Sequence, residues 1–185
     1  MSRLKSLTIS EFCDLVSSKS PTPGGGSTAC LVGAMAASLL EMYLVLSIGK
    51  EKCFANEPKL IDVQNNLSGF KEKLLDLADS DAEAFSQVMA AYKGGNDEEI
   101  QKALFGATSV PAATCKYCGE IIKLAKSVEG LGNANAESDL KSAIHLAKGA
   151  LLSALENVEI NLKEIKDETF KEEVRKKVYT LRSLC

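Results

Sequence analysis

The chain has 185 residues, 45% hydrophobic and 25% charged, the proportions of an ordinary globular protein. At about 150 residues per domain this is one domain, residues 1–185, long enough to bury a core without a metal or disulfide staple, and disordered, collagen-like and disulfide-scaffold classes are excluded. The net charge is −3 with no dense basic patch, which excludes a nucleic-acid partner, and aromatics at 5% without Trp argue against a β-sandwich or barrel. In chain order, Thr8 with Glu11 forms a capping box that opens a helix to about Lys19. Ser20-Pro-Thr-Pro-Gly-Gly-Gly-Ser27 breaks it. Ser27 is a natural N-cap for a long apolar helix to about Cys53. Pro58 suits the first turn of a third helix, whose stripe runs from Leu60 through Leu74 and Phe85 to Tyr92, ending at Gly94-Gly95. Asn96 and Glu99 cap a short fourth helix, and Pro111 begins a fifth. Gly130 to Asn135 is a turn. A sixth helix spans about Glu137 to Ile165, and Asp167 caps a charged seventh. No segment alternates long enough for a strand. The expectation is an all-α fold, an up-and-down bundle of long helices.

The N-terminus lacks the apolar stretch of a secretory signal, so the six cysteines read as reduced thiols of a cytoplasmic protein. Cys115 and Cys118 form a lone CxxC with no second pair, and the only histidine is His145; these are helix-face residues and no metal site is expected. Ala29 to Ile48 is long enough to span a membrane. Its Ala, Gly and Ser content and the central Glu41 favour a helix buried among others, with no membrane partner.

Polar residues on apolar faces carry the functional signal. Asp81 lies four residues from both Leu77 and Phe85, where a carboxylate is costly unless paired or used; a small helix rotation would instead leave it in water. Asn157 and Asn161 share a face of the sixth helix, as ligand contacts or as amides bonding across the bundle. Asn133, Asn135, Ser138 and Asp139 crowd a helix start, where capping alone accounts for such residues. Gly24, Gly25 and Gly26 leave bare amides ahead of a long helix, suited to a carboxylate or phosphate. They also suit close helix packing. No Lys-Ser/Thr follows them and no strand precedes them, so neither a P-loop nor a dinucleotide fingerprint is present.

Taken in order, several motifs together resemble the cyclodeaminase domain of the formiminotransferase-cyclodeaminase family. They are Pro21-Thr-Pro-Gly-Gly-Gly-Ser27, Gly33-Ala, Leu40-Glu-Met42, Asp79-Ser-Asp81-Ala-Glu-Ala-Phe85, Val110-Pro111, Gly132-Asn-Ala-Asn-Ala-Glu-Ser-Asp139 and Asn157-Val-Glu-Ile-Asn161. Tyr43 stands where the family pattern has a small β-branched residue. The resemblance implies a helical homodimer with a tetrahydrofolate derivative as substrate and no cofactor. It implies cyclisation of 5-formiminotetrahydrofolate to the 5,10-methenyl form with loss of ammonia, or alternatively methenyltetrahydrofolate hydrolysis. A non-catalytic helical module binding an anion or a partner is the reading from outside that class. On the enzyme reading, Asp81 and Asp139 are the acid–base pair, in either order, meeting over one hollow. Asn133, Asn135, Ser138, Asn157 and Asn161 would bond the pterin or orient the carboxylates, and Gly24 to Ser27 would take the glutamate tail's carboxylate.

Overall fold

Thr8 opens the first helix as the sequence suggests: its side chain accepts from the Glu11 amide while the Glu11 carboxylate returns to the Thr8 amide. The computed structural model describes residues 3–185, and among them every regular element is helical. The helices are α1 (Ile9–Val16), α2 (Gly25–Val45), α3 (Glu57–Leu67), α4 (Phe70–Gly94), α5 (Asp97–Lys126), α6 (Glu137–Glu164) and α7 (Glu168–Arg182). Short 3₁₀ turns at Leu4–Ser6, Glu51–Asn56 and Ala134–Ala136 link them. Asn96 and Asp167 cap α5 and α7 through their side-chain oxygens, also as expected.

The four long helices alternate in direction. Gly26 lies against Asp81 and Gly33 against Leu74, so α2 and α4 are antiparallel. Cys30 meets Thr114 and Tyr43 meets Val128, so α5 runs parallel to α2. Gly25 lies against Asn157, which turns α6 back again. This is the expected up-and-down bundle. Small residues on α2 (Ala29, Ala36, Ala37, Gly33) let its neighbours approach closely. A Cβ on Gly33 would stand 2.9 Å from Cys118 Sγ. Leu40, Leu44, Leu74, Leu140 and Leu151 are fully buried in one continuous core, each contributing about 1.5–3 kcal/mol by removal from water. By length and composition α2 could cross a membrane, yet half of its most apolar window is covered within this fold.

Several boundaries differ from expectation. The first helix stops at Val16, short of Lys19. The N-cap of α2 is Gly24, not Ser27, and the helix stops at Val45 because Gly49 (φ +79°) redirects the chain into the 3₁₀ turn at Glu51. The third helix is two, broken at Ser68-Gly69 with Gly69 at φ +77°. The fourth and fifth are one: α5 continues through Pro111.

Candidate active site

The N-terminal turn of α2 and the middle of α4 meet around one carboxylate. Asp81 Oδ2 accepts from the buried Ser27 hydroxyl at 2.7 Å. A Cβ on Gly26 would collide with the same carboxylate, 2.7 Å from its Cγ. The glycine is therefore required for space. The Ser27 side chain does not cap its helix; it donates sideways to Asp81. Burial pushes the Asp81 carboxyl above the usual carboxylate range, and the Ser27 hydroxyl and amide hold it back in part. A carboxyl so placed can take and return a proton nearer neutrality than an exposed one.

From Asp81 a cleft of about 350 Å³ runs along the bundle. The loop Pro21–Gly24 and the first turn of α2 close one end. Asp81, Phe85, Val88 and Tyr92 of α4 form one wall, Asn157, Ile160, Asn161 and Glu164 of α6 the other, and Leu104 and Ala107 of α5 the floor. Asn157 donates to the Ser153 carbonyl at 2.8 Å and Asn161 to the Ala107 carbonyl at 3.0 Å. Asn161 thus bonds across the bundle, as one reading of the sequence allowed, and also lines the cleft.

Of the expected site residues, the structure brings together Gly24, Gly25, Gly26, Ser27, Asp81, Asn157 and Asn161. It does not bring Asn133, Asn135, Ser138 or Asp139 to them. Asp139 and Asn157 lie eighteen positions apart on α6, roughly 27 Å at 1.5 Å per residue. Asp81 and Asp139 therefore do not meet over one hollow within a chain. The Gly-Asn-x-Asn run fastens the α5–α6 turn to the far end of α2 instead. The Asn133 amide donates to Ser47 Oγ at 2.8 Å, its side chain donates to the Leu46 carbonyl, and its Oδ1 accepts from the Asn135 amide. Gly132 donates to Tyr43 Oη at 2.8 Å, and Tyr43 in turn donates to the Val128 carbonyl. Tyr43, the departure from the family pattern, is fully buried and clasps the turn through both bonds. Ser138 accepts through its carbonyl from Ser142, and Asp139 sits in the first turn of α6, where a negative charge complements the helix dipole.

The apolar stripe that the sequence carries on through Phe85 to Tyr92 lines the cleft, with Val88 between them also packed against the core, and Phe85 and Tyr92 are 37% and 45% exposed. The signal was their register with Asp81, at spacings of four, seven and eleven, which puts all four on one face. Glu164 was missed for want of any local signal. Among the described residues no group of three or more metal-ligating side chains is assembled. The thiols of Cys30 and Cys115 are buried and pushed up to about 12.

The family model for formiminotransferase-cyclodeaminase matches residues 8–180, and the chain belongs to that family. It is 41% identical over 175 residues to the methenyltetrahydrofolate cyclohydrolase of Methylorubrum extorquens, covering 90% of this chain and 84% of that one. It is 31% identical to the pig formimidoyltransferase-cyclodeaminase over 92% of this chain, and spans 33% of that longer protein. The crystal structure of formiminotetrahydrofolate cyclodeaminase from Thermotoga maritima superposes with a TM-score of 0.92 at 35% identity, covering 98% of this chain and 91% of that one.

Proposed function

We propose that this protein is a folate one-carbon enzyme working at the carbon that bridges, or comes to bridge, N5 and N10 of tetrahydrofolate. The observation that carries the reading is Asp81: a carboxyl pushed upward by burial, at the closed end of a cleft, in a chain of this family. In cyclodeamination N10 attacks the formimino carbon, loses its proton, and ammonia leaves with one. In hydrolysis water attacks the methenyl carbon, loses a proton, and one C–N bond opens. Asp81 accepts the nucleophile's proton, returns it to the departing nitrogen, and as the anion stabilises the cationic one-carbon unit. Both reactions are proton transfers around C–N bonds, so no metal or redox cofactor is assigned.

The likeness to the Thermotoga cyclodeaminase supports cyclodeamination, and the 41% identity to the Methylorubrum cyclohydrolase supports hydrolysis as the alternative. Two assays separate them. Loss of methenyltetrahydrofolate absorbance supports the hydrolase; ammonia release from formiminotetrahydrofolate supports the cyclodeaminase. Inertness in both overturns the enzyme reading and leaves the binding module.

A homodimer in a cytoplasmic setting completes the proposal. The outward face of α2 presents Leu31, Met35, Leu39 and Met42 beside Leu75 and Leu146, an open apolar hollow of about 510 Å³. A second copy is the occupant that suits such a face. Met35→Glu is expected to halve the mass measured in solution; an unchanged mass would remove this face from the interface. Asp139 then takes part in catalysis only if a second copy carries it to the cleft. The glutamate tail is directed away from α2, because the amide of Ser27 and its hydroxyl already face Asp81, whose charge repels another carboxylate.

A further inference from the structure

The end of the cleft away from Asp81 is built for a ligand that the proton-transfer chemistry does not itself require. Beyond Ala78 no residue of α4 is buried, although its stripe continues through Phe85, Val88 and Tyr92. The stripe faces Ile160, 62% exposed, across the cleft. Large apolar side chains opposed across an open gap mark a seat for something flat and apolar. Glu164 closes this end. It is the last residue of α6, where a negative charge opposes the helix dipole, and no cation pairs with it among the described residues. A carboxylate kept there against local electrostatics has a use elsewhere.

We propose that the substrate's pterin ring lies between the Phe85–Tyr92 wall and Ile160, with the Glu164 carboxylate accepting the side-by-side N–H donors of its 2-aminopyrimidinone edge. The inference rests on the folate reading above and assigns the ring's place within it. The ring edge presents two parallel donors, the geometry a carboxylate accepts in bidentate fashion. The spacing agrees. Asn157, level with Gly25, and Glu164 are seven positions apart on α6, roughly 10 Å. That is the reach of a fused bicyclic ring with one hydrogen bond at its far end. With the amino edge anchored at Glu164, the N5–N10 side is directed toward Asp81.

The test compares steady-state kinetics of the full chain on methenyltetrahydrofolate and on its 2-desamino-2-methyl counterpart. Formiminotetrahydrofolate replaces the first if ammonia release is the activity found. The unaltered enzyme is expected to bind the desamino compound at least about 10-fold more weakly, the scale of a charge-assisted hydrogen bond. Glu164→Gln is expected to raise KM for the natural substrate by a similar factor, with kcat falling by less, and to discriminate poorly between the two compounds. Tyr92→Ala is expected to raise KM for both compounds alike. Both positions are exposed, and an unchanged circular-dichroism melt confirms folding. An active enzyme whose KM is unmoved by Glu164→Gln overturns this inference alone. An unaltered chain inert toward every folate overturns the parent reading and this inference with it.

Discussion

Asn161 supplies the hydrogen bond that Pro111 cannot. Proline has no N–H for the carbonyl four residues back, and in α5 that carbonyl belongs to Ala107. The Asn161 side chain, on the neighbouring helix, donates to it at 3.0 Å. Helix α5 therefore passes through a proline without leaving an unpaired carbonyl in the floor of the cleft. This bond also fixes the distance between the floor and the α6 wall.

The compensation predicts a specific coupling. Asn161→Ala strands the Ala107 carbonyl and is expected to cost about 1–3 kcal/mol, the scale of a polar group left unpaired. In a Pro111→Ala background the new backbone N–H takes the carbonyl, and the cost of Asn161→Ala should shrink. Urea denaturation of the four proteins measures it; an equal cost in both backgrounds would show that the two residues act independently.

Asp81 ties activity to stability with opposite signs. Burial raises its folded-state pKa above the ordinary value of about 4. The folded chain then holds the proton more tightly than the unfolded chain. Its contribution to stability is present below the ordinary value and is lost as pH rises through the raised one. Asp81→Asn is therefore expected to melt higher than the unaltered protein at about pH 8, with the gap closing toward about pH 4. A gap that is constant with pH would contradict the shift. The same variant should lose turnover at least about 100-fold. Asp139→Asn, outside the cleft of its own chain, should keep turnover close to that of the unaltered chain; an equal loss in both would mean that a second copy brings Asp139 in.

Neighbouring glycines should respond differently to one methyl group. Gly26→Ala sets a Cβ 2.8 Å from Asp81 Oδ2, so the carboxylate must move. Gly25→Ala meets Asn157 Nδ2 at 3.5 Å, an ordinary contact. Turnover is expected to collapse in the first and survive in the second, with both chains still helical. Comparable activities would mean that the placement of Asp81 is not critical.

The thiols divide by burial. Cys13 and Cys185 are exposed; Cys30, Cys53, Cys115 and Cys118 are buried. A disulfide reagent at about pH 8 should modify two of the six thiols in the folded protein and all six in denaturant, since the buried four are out of its reach and burial also suppresses the reactive thiolate at Cys30, Cys115 and Cys118. Fast reaction of four or more without denaturant would show that the core opens readily.

What the sequence made legible was local. The capping box at Thr8, the caps at Asn96 and Asp167, and the misplaced polarity of Asp81 each depend on residues within one or two turns. What it hid was settled across the bundle. Pro111 reads as a helix start unless Asn161, fifty positions later, is known to lie beside it. Ser27 reads as an N-cap until Asp81 arrives to take its hydroxyl. Asn133 and Asn135 read as ligand contacts, yet Asn133 bonds Ser47 and Leu46 at the end of another helix, and the Asn135 amide donates to Asn133 Oδ1. Asp139 shares a motif with these asparagines and so shares their distance from the cleft.

The anion that α2 attracts to its amino end is one the protein brings itself. On the reading proposed above, a folate's acidic tail would gain nothing by entering there and is expected to trail over the rim into water. An enzyme that leaves the tail unread is expected to be indifferent to its length, accepting substrates with one glutamate or many on similar terms.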